Sequence, residues 1–261
     1  MNGAIRIVIV GPYRWKAFSV FNGNAYPPKL RSVVEACGSR FALLLLNTSD
    51  LRHALERDIT DFKNAIESQL PYLETAVKRR PDLSSVAIYD SMALLAEMHN
   101  CFNALKSFLD LYAQLIGKLV SPPFEGSFGK ANIDGQKASG GRLVNALRNN
   151  GQCSSSQRLA DLTLRHSLAW ITTAVKYRDQ LSHRSDLDDI RPLQLPLHHS
   201  APHISLGELM RPTMPNGQDL EDYFVGLLNN LAEYVCASVA MLPDVDLKLL
   251  SPEKLMKDYA H

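Results

Sequence analysis

Residues 157–183 read QRLADLTLRHSLAWITTAVKYRDQLSH, and this stretch decides the fold class. Its apolar side chains recur at spacings of three and four residues, which predicts one amphipathic helix from about residue 157 to residue 182. Two apolar rows run along it, the first made by Leu159, Leu162, Trp170, Ala174, Tyr177 and Leu181, and the second by Leu164, Leu168, Ile171 and Val175. Continuing the second row reaches Arg178, so we expect this guanidinium to extend a buried apolar row.

The same spacing predicts further helices on both sides of this one. Ser49 is a suitable N-cap for a helix that ends near residue 80, before Pro81, and a second long helix is expected from about residue 84 to residue 119. A tight proline turn between them indicates an antiparallel pair. A short helix is expected near residues 142–148, and the last clear helix begins near Asp219 and runs to about residue 242.

The remaining segments predict a small amount of β structure. Residues 5–10 are rich in β-branched side chains and precede Gly11 and Pro12, which predicts a strand, and a second short strand is expected around residues 18–21. The apolar stretch 30–46 suits a buried strand and a buried helix equally. Residues 191–197 and 203–206 predict a hairpin of edge-like strands. Residues 121–141 contain several Gly and Pro without periodicity, so we expect a long loop or lid.

These patterns together predict a mainly α protein, a bundle of long helices with a small β-hairpin and a short N-terminal β region. We expect residues 1–48 to form a β or mixed segment packed on a helical domain of residues 49–261. The longest purely apolar run, residues 41–46, is far below the roughly 20 residues that a membrane-spanning helix needs, so no membrane span or signal peptide is expected.

Charge and cysteine content narrow the function classes. Lysine and arginine number 28 against 27 acidic residues, so the overall field attracts polyanions weakly and a nucleic-acid site must be a local patch. Arg142, Arg148, Arg158 and Arg165 are candidates for a basic track toward Arg178. The four cysteines are widely spaced and form no Cys-x-x-Cys pair, which favours a reduced, cytoplasmic location.

The most informative residues close the long helix, where Arg178, Asp179 and His183 precede a polar break. In an ideal helix the five-residue step from Arg178 to His183 turns the side chains by roughly 140°. The two side chains therefore do not share one face. For them to converge on one substrate, either the helix ends or loosens near Ser182, or a second chain completes the cleft.

At these positions the chain resembles the HEPN superfamily, whose active motif is an Arg, a polar neighbour, and a His with four to six residues between it and the Arg. The matching residues are Arg178, Asp179 and His183, and the resemblance covers residues 49–242. It implies a bundle of long helices and a metal-independent endoribonuclease that acts as a homodimer on RNA. It also suggests a toxin or defence component with an antitoxin or other regulatory partner.

The chemistry that the resemblance implies suits these residue types. A histidine can transfer a proton to or from the attacking 2′-hydroxyl or the leaving 5′-oxygen near neutral pH. The planar guanidinium of Arg178 can bind the phosphate and stabilise the charge of the transition state. Asp179 can orient either the imidazole or Arg178. In this family the cleft is formed by two subunits, each contributing one Arg and one His.

Other interpretations of the same residues stay open. Arg178 is also a suitable cation for a helix C-terminus, where it pairs with carbonyl groups and with Asp179 or Asp186. In that case the chain is a non-catalytic helical module for nucleotide binding, protein binding or dimerisation. His198, His199 and His203 lack a companion ligand at a familiar spacing, which favours a solvent-facing hairpin over a metal site. No cofactor motif stands out either, since the residues after Gly11 lack the P-loop pattern.

Overall fold

A computed structural model describes residues 4–10, 14–20, 28–80, 85–87, 91–120, 125–149, 154–184, 190, 193–200 and 203–241. This part of the chain is mainly helical, which confirms the predicted fold class. Its helices are α1 (Pro28–Arg79), α2 (Met92–Leu119), α3 (Gly141–Asn149), α4 (Ser154–His166), α5 (Thr172–Arg184) and α6 (Leu220–Ala240). Among the described helices, none has a stretch sufficiently long and apolar to cross a membrane.

The strands form three small antiparallel units. They are β1 (Ala4–Val10), β2 (Arg14–Val20), β3 (Ser85–Ala87), β4 (Ala131–Ile133), β5 (Gln136–Ala138), β6 (Gln194–Ser200) and β7 (His203–Leu206). β1 pairs with β2, β4 pairs with β5, and β6 lies between β3 and β7. The predicted hairpin of β6 and β7 is confirmed, but its description as edge-like is wrong for β6. Pro196 fits there because β3 pairs with the first part of β6 and β7 with the second.

The helices α1 and α2 form the predicted antiparallel pair, in a register that three contacts define. Phe41 meets Phe108 edge to face with ring centroids 5.7 Å apart, and the Thr48 hydroxyl lies 3.9 Å from Sγ of Cys101. Nearer the other end, Ser91 donates to the Asp58 carboxylate. Residue numbers thus fall along α2 as they rise along α1. The pairing buries apolar side chains of both helices in one core, which is a large source of stability.

The start of α1 corrects the prediction that a helix begins at Ser49. This helix begins at Pro28 and includes the ambiguous stretch 30–46, so Ser49 lies inside it and the expected boundary after residue 48 falls within one helix. The Thr48 hydroxyl donates to the backbone carbonyl of Leu44, one turn earlier. This bond satisfies the Thr48 hydroxyl without interrupting the helix. A polar residue that resembles an N-cap, such as Ser49, can therefore lie inside a helix.

The start of α2 corrects a second boundary. The predicted helix from residue 84 begins instead at Met92, and the segment before it contributes strand β3. The Ser91 hydroxyl accepts a hydrogen bond from the Leu94 N–H at 3.2 Å, so Ser91 is the N-cap. Ile88, which falls within the predicted helix, lies outside the described residues.

The segment predicted as a loop or lid also contains regular structure. Strands β4 and β5 form a hairpin whose turn residues Asp134 and Gly135 have φ of 51° and 84°. Positive φ at both central positions suits a two-residue hairpin turn, for which Asp-Gly is a favoured pair. The prediction overlooked this pair because the flanking strands have only three residues each. Residues 121–124 lie outside the described part.

The long helix on which the fold prediction depends is confirmed, with one irregularity. A π-helical turn, Ser167–Ile171, joins α4 to α5, and the Thr172 N–H donates to the Ser167 carbonyl within it. Leu168 is 49% exposed, so the second apolar row is broken at this turn. The side chain of Arg178 is 32% exposed. It lies at the margin of the core and does not extend a fully buried row.

Helix α2 is the centre of the core. Phe102 packs against Tyr177 of α5 and against Tyr223 and Phe224 of α6, with ring centroids 5.0–6.2 Å apart. The buried Tyr112 hydroxyl bonds to Ser238 of α6. Three helices therefore pack around α2, and its remaining face, which includes Asn100 and Gln114, is exposed.

A glycine between β5 and α3, Gly140, allows a test of how closely Phe128 and Ser167 pack around it. Gly140 has a φ of +83°, and a methyl group there would lie 2.7 Å from the Phe128 ring and 3.0 Å from the Ser167 hydroxyl. Gly217 has nearly the same φ, +82°, with nothing within 4 Å of the added carbon. The two positions share the backbone strain of a left-handed conformation, but only Gly140 faces close neighbours.

We expect Gly140→Ala to lower the free energy of unfolding by about 2–4 kcal/mol, since it adds overpacking to backbone strain. The matched control Gly217→Ala should cost about 1 kcal/mol, the strain alone. Urea unfolding of the two variants and the wild type measures both values. Equal losses at the two positions would contradict the close packing around Gly140.

Candidate functional site

The candidate site begins with a polar row on α2, the central helix. His99, Asn103, Lys106 and Asp110 follow one another at spacings of four, three and four residues, so they share one face. All four are half-buried, whereas α2 is otherwise largely buried and apolar. Helix α5 runs antiparallel beside the first half of this row and brings Arg178 and Ser182 against it.

Arg178 is held by two acceptors on different helices. Its Nε donates to Oδ1 of Asn103 at 3.2 Å, and its Nη1 donates to Oδ1 of Asp179 at 2.8 Å. Within the described part of the chain, Nη2 makes no hydrogen bond. The guanidinium is therefore fixed in orientation by two bonds, while one nitrogen and about a third of the side chain remain accessible.

Asp179 connects Arg178 to the segment before β4. Its Oδ2 accepts a hydrogen bond from Nζ of Lys130 at 2.6 Å. Partial burial alone would raise the pKa of this carboxyl, but the hydrogen bonds and positive charges of Lys130 and Arg178 outweigh it and hold the pKa below its usual value. Asp179 is therefore ionised at neutral pH. Its carboxylate binds two cationic side chains, those of Arg178 and Lys130.

His99 joins the same network through Asn103. Its Nε2 lies 3.0 Å from Nδ2 of Asn103 and 3.2 Å from the hydroxyl of Ser182. Because Arg178 can only donate, the Asn103 atom facing it must be the oxygen, and the amide nitrogen then faces His99. That NH₂ group donates, so Nε2 of His99 must accept. The network thus selects the neutral tautomer with its proton on Nδ1.

The structure brings some of the predicted site residues together. Arg178 and Asp179 are in direct contact, and Ser182 contacts His99 of α2. His183 belongs to α5, whose backbone stays helical through Arg184, but its side chain lies outside the described residues. The helix therefore does not end before His183, and the five-residue step keeps it roughly 140° from Arg178 around the helix axis.

Sequence reasoning missed three members of the network, namely His99, Asn103 and Lys130. The polar spacing on α2 was a usable signal, because it is the complement of the apolar stripe that predicted this helix. It shows which residues share a face, but not which helix lies opposite. Lys130 gave no signal, since its contact with Asp179 joins residues 49 positions apart.

Part of the expected basic track lies near this network. The Arg142 side chain covers Gly129, since an added methyl group there would lie 2.8 Å from its Cδ. The Arg142 side chain therefore lies next to the backbone that leads into Lys130. Arg148 instead pairs with Asp134 at 3.1 Å and with Asp161 at 3.8 Å, and ties the β4–β5 hairpin to α3 and α4. Arg158 and Arg165 are exposed on α4.

Two further observations bear on the class of site. Among the described residues, no group of three or more His, Cys, Asp or Glu side chains is placed to hold a metal ion. Comparison with models of known protein families, with curated proteins and with solved structures finds no match to this chain.

The lowered pKa of Asp179 predicts an acid-dependent contribution to stability. Because the pKa is depressed in the folded state, the contribution is present above the ordinary value of 3.8 and is lost as pH falls through the lowered one. We expect Asp179→Asn to lower the free energy of unfolding by about 1 kcal/mol or less at pH 6, a gap that closes in acid. Urea unfolding from pH 6 to pH 2 measures it, with Asp61→Asn on the exposed face of α1 as the control. A gap that stays constant to pH 2 would contradict the pairing.

Proposed function

We propose that the chain is a metal-independent endoribonuclease of the HEPN type that acts as a homodimer. In this proposal Arg178 binds the scissile phosphate, Asp179 orients Arg178, and His183 transfers a proton. The proposal rests on the hydrogen bonds and the partial exposure of Arg178. Its guanidinium is fixed by Asn103 and Asp179, yet Nη2 and about a third of the side chain remain accessible.

A fixed guanidinium suits phosphate chemistry for a physical reason. Hydrogen-bond donors that are oriented before substrate binds need no reorganisation when charge develops on the phosphate oxygens, so they favour the transition state. The planar donor set of arginine matches a phosphate better than the point charge of lysine does. Lys130 adds a second positive charge next to Asp179, at an exposed position.

The course of α5 supports a second copy in the proposed site. Because the helix continues through Arg184, positions 178 and 183 of one chain lie roughly 140° apart around the helix axis. In the proposed dimer, His183 of one copy faces Arg178 of the other. The near-neutral charge of the chain favours a small or structured RNA target, since long-range attraction to RNA is weak. We place this activity in a cytoplasmic toxin or defence component that an antitoxin or other regulatory partner restrains.

One observation favours a non-catalytic alternative. Asp179 pairs with both Arg178 and Lys130, so it compensates part of their charge and fastens the segment before β4 to α5. A helical nucleotide-binding or dimerisation module would use the same contacts for structure alone. In that case Arg178→Ala changes stability or ligand affinity, and there is no nuclease activity to lose.

Cleavage assays distinguish the two functions. We expect the purified protein to cut RNA in EDTA and to leave cyclic phosphate ends. Arg178→Lys should lower kcat/KM by about 10²–10³, the usual loss when one oriented transition-state donor is removed. Arg57→Lys, on the exposed face of α1, is the matched control and should cut like the wild type. Absence of cleavage with every RNA tested would overturn the enzyme, and full activity of Arg178→Lys would overturn the role of Arg178.

A further inference from the structure

We propose that His99 of α2 is a second catalytic histidine of this site and acts as its general base. The inference rests on the proposed ribonuclease function and extends it, because His99 lies outside the Arg178 to His183 motif. In this assignment His99 removes the proton of the attacking 2′-hydroxyl. His183 of the second copy supplies a proton to the leaving 5′-oxygen.

The hydrogen-bond network supports an Nε2 of His99 that acts as an acceptor. Arg178 fixes the orientation of the Asn103 amide, and the amide NH₂ then faces Nε2 of His99 at 3.0 Å. A nitrogen that accepts from an amide carries a lone pair and no proton. Ser182 is the other neighbour of Nε2, at 3.2 Å, and a hydroxyl can exchange places with the hydroxyl of a substrate. His99 is thereby held in the form that a general base requires.

Asn103 also sets the distance between the base and the phosphate-binding group. It touches Arg178 with one end of its amide and His99 with the other, at 3.2 Å and 3.0 Å. A single amide therefore separates the guanidinium from the imidazole. A phosphate bound at Nη2 of Arg178 would have its neighbouring ribose near His99, which is the geometry that proton removal from a 2′-hydroxyl needs.

The other histidines whose side chains the structure describes, His53, His166 and His198, fit this role less well. His198 is exposed on β6, beside Gly207. His166 is buried, accepts a hydrogen bond from Nε1 of Trp170 at 3.0 Å and packs against Tyr234, so RNA cannot reach it. His53 is exposed on α1 and makes no hydrogen bond with α5 among the described residues. Only His99 is joined to Arg178 through hydrogen bonds of the described chain.

The proposed step balances without any further reactant. Nε2 of His99 takes the proton of the 2′-hydroxyl while that oxygen forms a bond to phosphorus. The bond from phosphorus to the 5′-oxygen breaks, and that oxygen takes a proton from His183 of the second copy. The products are a cyclic phosphate and a free 5′-hydroxyl. The two imidazoles then exchange their protons with water, which restores the starting state.

The test compares two RNA oligonucleotides of the same sequence. One is ordinary RNA, and the other carries sulfur in place of the scissile 5′-oxygen, so its leaving thiolate needs no proton. His99→Gln should lose about 10²–10⁴ in kcat/KM on both, because the base is needed for either leaving group. His183→Gln should lose a comparable factor on ordinary RNA and recover most of it on the sulfur substrate. His53→Gln is the matched control and should act like the wild type on both.

The outcomes separate this inference from the function on which it rests. If the wild type cuts neither substrate, the ribonuclease proposal fails. If the wild type cuts ordinary RNA and His99→Gln cuts it equally well, only the role of His99 fails. Recovery of His99→Gln on the sulfur substrate would make it the acid and would also overturn the assignment. The urea midpoint of each variant shows whether it is folded. If His99→Gln does not fold, His99→Asn is a second variant that removes the base.

Discussion

The burial of α2 against α1, α5 and α6 is the constraint on which the rest of the structure depends. Its buried side chains include Met98, Cys101, Phe102, Leu109 and Ile116, each with 1% exposure or less. Burial of this extent confines the polar side chains of α2 to the margin of the buried face and to the exposed face. His99, Asn103, Lys106 and Asp110 are half-buried residues at that margin. The core thereby determines where on α2 a polar site can form.

The same constraint explains the partners of Arg178. A guanidinium at the margin of the core loses part of its hydration, and that loss is costly unless hydrogen bonds and opposite charge replace the water. Asn103 supplies a neutral acceptor from α2, and Asp179 supplies the negative charge from α5, the helix that also carries Arg178. The replacement of water is incomplete, because Nη2 has no hydrogen-bond partner in the described part of the chain. The same contacts therefore stabilise the helix packing and leave one donor of Arg178 available to a ligand.

The sequence supported much of this fold through periodicity. The helix that carries Arg178, the α1 and α2 pair, the short α3 and the last helix all follow from apolar spacing, because burial imposes it. Boundaries were less predictable: Ser49 looked like a cap, but tertiary packing continues the helix through it, and the segment before Ser91 pairs with β6 as a strand. Arg178 and Asp179 stood out as charges at the end of an apolar helix. Asn103 and His99 did not, because their importance depends on which helix lies opposite α2.

The central claim is that the free edge of Arg178, held by Asn103 and Asp179, is the place where an RNA phosphate binds. The most direct measurement is a crystal structure of the protein with a short RNA whose scissile 2′-hydroxyl is methylated, so that binding occurs without cleavage. The account predicts a phosphate oxygen within hydrogen-bond distance of Nη2 of Arg178, with the adjacent ribose against His99. An RNA bound elsewhere, with Arg178 still engaged only by Asn103 and Asp179, would contradict it.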